Sequence, residues 1–318
     1  MKTINVGGLS LTCVALGAGS MGKPDSDKER FAIMDAYVER GGNCFDTARV
    51  YANGESDKAL GRWLKSSGMR GQVIICAKGC HPYLDDMFHY RLSRAEILGD
   101  LDMSLEAFGV SQTDLFLLHR DWPKLPVEPI VEALNEAVKT GRAKVVGVSN
   151  WTVGRIAEAI AYAEEHGLVK PSVCQLHTSL ALTTAAQTQD ITHVPMNETE
   201  AIWYRQTGFP IMGFGTQARG FFARHLAGLE HKKDTMQYYG RIPENYRRAE
   251  RADILSKKLG VSLAAVLTAY VRDCGLNAVA LVSVSSVKQL DEVWQSNDIS
   301  LSQSQIRYLE YGDKYDDE

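Results

Sequence analysis

Eight short apolar runs recur along this chain, and their spacing constrains the fold more than any other feature. They are CVALGAG near residue 13, NCFDT near 43, VIICAKG at 73, DLFLLHR at 114, KVVGVSN at 144, SVCQLH at 172, PIMGFG at 210 and AVALVSV at 278. Each run is nearly continuous rather than alternating, which suits a parallel strand covered on both faces. Between them lie amphipathic stretches such as SDKERFAIMDAYVERGG, SDKALGRWLKSSG, SRAEILGDLDMSLEAFG, PVEPIVEALNEAVKTG and TVGRIAEAIAYAEEHG. Several of these end in Gly, as helices often do. Most strand starts are about 30 to 40 residues apart, the length of one βα unit. Eight units in strict alternation predict a closed (β/α)8 barrel, with an N-terminal β-hairpin and extra C-terminal helices. The whole chain, 1–318, reads as one barrel domain. An open doubly wound sheet is the competing architecture. It lacks its phosphate signature here, since LGAGSMG has glycines without the G-x-G-x-x-G spacing.

The rhythm breaks once. The last two strand starts lie about 68 residues apart, and the interval holds a polar excursion, 216–260, followed by SLAAVLTAYVRDCG. In a barrel such an insertion sits over or beside the mouth, either as a lid or as solvated elaboration. The tail SQSQIRYLEYGDKYDDE reads as a last helix with an acidic end.

Charge and composition narrow the function class. The net charge is −4 and no basic block occurs, which argues against a nucleic-acid partner. No 18-residue apolar run and no signal-type core in MKTINVGGLS are present, so no membrane partner and a reducing, cytoplasmic setting are expected. The six cysteines, Cys13, Cys44, Cys76, Cys80, Cys174 and Cys274, are not spaced as a disulfide framework. Cys76, Cys80 and His81 have no second ligand pair of matching spacing, so no metal is expected.

In a closed barrel, chemistry sits where strands end. The second strand ends in Asp46, with Tyr51 in the loop; the third ends in Lys78; the fourth ends in His119. Taken singly, these would be a turn former, a surface phenol, a snorkelling lysine and a structural histidine. Buried together at one mouth they must pair with each other.

These residues carry a family resemblance. GGNCFDTARVYANGESDKALGRWLK resembles the aldo-keto reductase pattern G-x-N-x-F-D-T-A-x-x-Y-x-x-G-x-S-E-x-x-L-G. AKG and DLFLLHRD resemble that family's Lys and His strand ends, and GVSNWT its fifth-strand signature. The resemblance runs from about residue 4 to about 297. It implies an NAD(P)H-dependent carbonyl reductase or alcohol dehydrogenase, with Asp46, Tyr51, Lys78 and His119 on the catalytic positions. In that scheme Tyr51 is the general acid, and the nearby Lys78 ammonium lowers its phenol pKa. Asp46 keeps Lys78 charged, and His119 polarises the carbonyl oxygen.

The resemblance also implies a cofactor site. Ser149, Asn150 and Gln175 match the carboxamide ligands, with Asp46 beside them. Phe214 stands where the family has a ring-stacking Tyr, and Gly19, Ser20 and Met21 match the segment under the nicotinamide ribose. Gly215, Thr216 and Gln217 replace the common Ser-Pro-Leu along the pyrophosphate channel, and Arg219 is a phosphate partner. After the eighth strand, Ser283, Ser285, Gln289 and Glu292 align with the adenine-end motif. Val282 replaces its Pro and Val293 its Asn, and Lys288 is the basic residue nearby. A weakened grip on a 2′-phosphate follows. NADP(H) is favoured from the family default, with NAD(H) or dual use open.

On the substrate side the loops offer Arg49, Asn53, His81, Tyr83, Phe88, Tyr90, Arg120, Trp122 and Trp151. Tyr51, His119, Trp122 and Trp151 are the expected substrate contacts, for a small sugar-like or aryl aldehyde or ketone. Two other readings stand beside this one. One is a barrel lyase with Lys78 as Schiff-base nucleophile, which requires a lysine free of a carboxylate. The other is an NADP(H)-binding redox sensor without turnover. The oligomeric state is not legible in the sequence.

Overall fold

The computed structural model describes residues 2–19 and 27–315. Two short antiparallel strands, β1 (Thr3–Val6) and β2 (Leu9–Thr12), form the N-terminal hairpin. Its turn is Gly7-Gly8, both at positive φ, where side chains would be strained. Eight parallel strands follow: β3 (Val14–Gly17), β4 (Cys44–Asp46), β5 (Ile74–Gly79), β6 (Thr113–Leu118), β7 (Ala143–Ser149), β8 (Cys174–His177), β9 (Ile211–Phe214) and β10 (Ala278–Val282). They close in chain order, β10 pairing with both β9 and β3. The barrel expected from the spacing is therefore the observed fold.

Two apolar layers follow from strand geometry, because successive side chains point to opposite faces. Ala15, Cys44, Cys76, Leu115, Leu117, Val145, Val173, Met212, Val279 and Leu281 point inward and fill the barrel. Val6 and Leu11 of the hairpin, both fully buried, belong to the same cluster and plug its bottom. The alternate residues, among them Leu16, Phe45, Ile75, Phe116, Val146 and Ile211, point outward to the helices. Each fully buried Leu, Ile or Phe in these layers contributes about 1.5–3 kcal/mol.

The helices form for local reasons. The helix Arg94–Phe108 starts at a capping box between Ser93 and Glu96 and stops at left-handed Gly109. The helix Glu55–Ser67 buries Ala59, Leu60, Trp63 and Leu64. Trp63 packs 4.9 Å from the Phe45 ring centroid and donates Nε1–H to Asp35 at 2.8 Å. At the barrel bottom, buried Asp114 accepts from Ile75 N–H, Arg70 and Lys144, which ties β5, β6 and β7 into register.

Between β9 and β10 the insertion contains the helix Phe221–Leu226, a π-helical turn Met236–Gly240 and the helix Pro243–Leu259. The helix Leu263–Asp273 then leads into β10, and Gln303–Tyr311 forms the last helix. No single described helix is long and apolar enough to cross a membrane.

Candidate active site

The alternation that fills the barrel also populates its mouth. Two residues beyond the last inward apolar side chain of a strand comes the next inward position. Beyond Ala15, Cys44, Cys76, Leu117, Val173, Met212 and Leu281 these are Gly17, Asp46, Lys78, His119, Gln175, Phe214 and Ser283. On β7, Val145 is followed by Gly147 and then Ser149. Gly147 cannot be larger, since a Cβ there would lie 2.6 Å from the Val173 carbonyl oxygen. The strand ends thus converge on a cavity of about 660 Å³, within the range of small-molecule and cofactor sites.

At its floor Lys78 and Asp46 are fully buried. The ammonium contacts both carboxylate oxygens, at 2.6 and 2.5 Å, and Gln175 Nε2–H donates to Asp46 Oδ1 at 2.7 Å. Burial alone would lower the Lys78 pKa, but Asp46 and Tyr51 more than offset it, so Lys78 is held charged above its ordinary value. Its ammonium lies 5.1 Å from the Tyr51 ring centroid. The Tyr51 ring meets His119 edge-on at 5.7 Å, and His119 meets His81 at 4.8 Å.

Tyr51 is placed by the loop that follows β4. Arg49 N–H donates to the Lys78 carbonyl, and Tyr51 N–H to the Ala48 carbonyl, both at 2.9 Å. Buried Asp57 holds the loop from below, accepting from Thr47, Ser104 and Arg49. Ala52, Asn53 and Gly54 are all left-handed, and a Cβ on Gly54 would lie 2.6 Å from the Arg49 guanidinium. The Gly/Asn-rich turn after Tyr51 is therefore required by the backbone.

One expectation is corrected here. The Tyr51 pKa is raised, not lowered, because burial is the largest influence and outweighs the opposing Lys78 and Arg120 charges. His119 is held well below its usual value by burial, then by Arg120 and Lys78, so its imidazole is neutral. Its Nδ1 is buried without a hydrogen-bond partner.

The residues expected at a nicotinamide divide into three groups. Ser149, Asn150, Gln175, Phe214, Gly215, Thr216, Gln217, Arg219 and Ser283 line the cavity together with Gly19 and Asp46. Asn150 Nδ2 donates to Ser149 Oγ at 3.0 Å, and Asn150 Oδ1 accepts from Val194 N–H. With Gln175 Nε2 bound to Asp46, Gln175 Oε1 is left as an acceptor suited to a carboxamide N–H, while Asn150 Nδ2 also donates to the His119 carbonyl at 3.4 Å. The floor at Gly17 is bare, and a Cβ there would lie 2.8 Å from Ser283 Oγ. Phe214 presents a half-buried ring. These residues fit a nicotinamide dinucleotide.

The side chains of Thr216 and Gln217 have structural partners instead. Thr216 Oγ1–H donates to the Leu281 carbonyl, and Gln217 Nε2–H to Ala264 and Thr268, pinning the loop to the barrel. Arg219 pairs with Asp234 at 2.7 Å and lies over Tyr238 at 4.2 Å. Ser285, Gln289 and Glu292 lie outside the cavity, at the helix Val287–Trp294, where Ser285 Oγ–H donates to Gln289 Oε1 at 2.9 Å. Ser20 and Met21 lie outside the described residues.

The two tryptophans do not reach the cavity wall. Asn150 at φ +57° ends the strand alternation, and Trp151 turns into the outer core, fully buried beneath the Arg155 guanidinium. Trp122 stacks on Tyr90 at 5.1 Å. Cys76 and Cys80 sit in different apolar layers, and all six cysteines are free and buried.

Five polar or aromatic cavity residues were not read from the sequence: His177, Asp190, His193, Tyr238 and Tyr239. His177 is the next inward position after Gln175, so strand alternation could have found it. Its Nε2 bonds the Tyr239 hydroxyl at 2.8 Å, and burial lowers its pKa to about 3. Asp190 and Thr192 grip Arg120, whose NH1 also donates to the His119 carbonyl. Tyr238 and Tyr239 bring the 216–260 insertion into the cavity wall.

The chain matches the profile described as Aldo/keto reductase family over residues 14–313. It is 26% identical to the aldo-keto reductase AFTS1 of Alternaria alternata, over 97% of this chain and 90% of that one. It is 27% identical to norsolorinic acid reductase B of Aspergillus parasiticus, over 99% and 82%. A putative aryl-alcohol dehydrogenase of Schizosaccharomyces pombe is 26% identical over 95% and 92%. Among solved structures, an aldo-keto reductase from Klebsiella pneumoniae in complex with NADPH superposes with a TM-score of 0.73 at 20% identity, over 97% and 93% of the two chains.

Proposed function

The chain belongs to the aldo/keto reductase family and is an oxidoreductase, and on that premise we propose that it interconverts a small carbonyl and its alcohol with Tyr51 as proton donor and acceptor. The observation that carries this reading is the Tyr51 phenol beside the buried Lys78–Asp46 pair, facing neutral His119 across the cavity. A bound nicotinamide would supply or take the hydride.

Reduction leaves an alkoxide that needs a proton. Burial keeps Tyr51 protonated in the resting state, so it carries the proton to be given. Lys78, held charged by Asp46, stabilises the phenolate that remains. Neutral His119 donates a hydrogen bond to the carbonyl oxygen and adds no competing charge. In oxidation the Tyr51 phenolate takes the alcohol proton back. A Schiff-base lyase would need a neutral amine at Lys78, and the doubly contacted carboxylate opposes that.

NADP(H) is the proposed cofactor, supported by the Ser149, Asn150 and Gln175 set, by the Phe214 ring, and by the NADPH held in the Klebsiella neighbour. Ser283 and Ser285 align with positions of the family's adenine-end motif where a basic side chain is frequent, so NAD(H) competes. Arg120, Asp190, His81 and His193 give the substrate side hydrogen-bonding groups, and Leu84, Tyr238 and Tyr239 give it apolar faces. This mixture supports an aryl or sugar-like aldehyde or ketone.

Fluorescence titration with NADPH and with NADH, reading tryptophan quenching, tests the reading. Saturable binding of either supports it, and their affinity ratio measures the grip on the 2′-phosphate. Binding of neither removes the hydride-transfer proposal. Binding without turnover of any aldehyde or ketone in a panel would favour the redox-sensor reading.

A further inference from the structure

A second cavity, of about 140 Å³, lies on the flank of the barrel between the segment after β8 and the helices Glu198–Thr207, Pro243–Leu259 and Gln303–Tyr311. Its volume is well below the roughly 300 Å³ at which sites for larger organic ligands begin, so its occupant has few heavy atoms. The residue that distinguishes it is Arg248, which lines it and is only 6% exposed. NH1 of Arg248 donates to the Leu180 carbonyl at 2.8 Å, and its Nε has no hydrogen-bond partner. Among the described residues no carboxylate forms an ion pair with it, although every other described arginine this buried has one: Arg155 with Asp121 and Arg272 with Asp273. A buried guanidinium with no carboxylate in contact is costly, and Glu244 offsets it only from a distance.

We propose that this cavity binds a small oxyanion, phosphate-like or carboxylate, with Arg248 as its principal ligand. The other polar groups at hand include matching donors. Ser179 Oγ accepts from Ala181 N–H, which leaves its own hydroxyl hydrogen to give. Asn197 uses its carbonyl oxygen as a helix cap, which leaves its amide N–H groups free of that role. Arg205 stands at the rim, loosely paired with exposed Glu198 at 3.4 Å. The remaining carboxylate in the wall, Glu310, is engaged by the Tyr270 hydroxyl at 2.6 Å. Guanidinium plus hydroxyl and amide donors is the chemistry that recognises an oxyanion. His177 lines both this cavity and the catalytic one, so an occupant would border the active site. The proposal does not depend on the hydride-transfer reading.

Calorimetric titration with sodium phosphate against sodium chloride of matched ionic strength tests it, on the wild-type chain and on Arg248→Met. Losing a charge-assisted hydrogen bond predicts a half-saturating phosphate concentration at least about tenfold higher in Arg248→Met. Arg205→Gln should shift it by about two- to threefold, as expected of a rim charge. If Arg248→Met does not fold, selenate-soaked crystals of the wild type provide the readout, with an anomalous peak expected against the Arg248 guanidinium. No saturable binding, equal binding by Arg248→Met, or selenate found only elsewhere overturns the proposal.

Discussion

Replacing Lys78 by Met removes one half of a fully buried ion pair and leaves the other. Asp46 would retain Gln175 Nε2–H, at 2.7 Å, against the two ammonium contacts it loses. Breaking a buried pair from one side costs about 3–5 kcal/mol, because the remaining charge is uncompensated. Whole-protein stabilities are about 5–15 kcal/mol, so the variant should fold with little margin. With a urea m-value of about 3 kcal/mol/M, the unfolding midpoint should fall by roughly 1 to 1.7 M. Combining Lys78→Met with Asp46→Asn removes both charges, and the Asn carbonyl can still accept from Gln175. The double variant should therefore recover most of the loss, a strongly non-additive cycle. Urea unfolding of the wild type, both single variants and the double measures it. A Lys78→Met midpoint equal to wild type, or a double variant as unstable as the sum of the singles, would refute the coupling.

Two further outcomes follow from the same geometry. His177, His81 and His193 have folded pKa values lowered by burial to about 3, 4 and 4, and His119 is also well below normal, against about 6.5 unfolded. Between these values the unfolded chain binds protons that the folded chain does not. Stability should thus be full above pH 6.5 and fall steadily as pH drops toward 4, by urea midpoints at pH 7.5, 6 and 5; a flat profile contradicts the neutral histidines. Gly215 is left-handed at φ +81°, and a Cβ there would lie 2.5 Å from His177 Nε2. Gly215→Ala should cost about 2–3 kcal/mol, from backbone strain and the displaced His177–Tyr239 hydrogen bond, in the same unfolding assay; an unchanged midpoint would show that the loop relaxes freely.

The barrel and the meeting of Asp46, Tyr51, Lys78 and His119 at its mouth were legible because both rest on short-range rules. Strand alternation carries inward-pointing Cys44 to Asp46 and Cys76 to Lys78, and the same step carries Leu117 to His119 and Met212 to Phe214. That rule fails where the backbone leaves the strand. Left-handed Asn150 sends Trp151 into the outer core, away from the cavity that its sequence neighbour Ser149 lines. Tyr238, Tyr239, Asp190 and His193 were missed because their approach to the mouth depends on how long irregular segments fold back. The direction of the Tyr51 shift was also beyond the sequence. Proximity to Lys78 was readable, whereas the depth of burial that outweighs it is a property of the packed barrel.

Whether Tyr51 gives the proton is decided by single-turnover reduction of benzaldehyde by the NADPH-loaded enzyme, comparing wild type with Tyr51→Phe. Tyr51→Phe should bind NADPH within about twofold of wild type and run the chemical step slower by a factor of at least about 10². A Tyr51→Phe variant that oxidises bound NADPH at the wild-type rate would contradict that role.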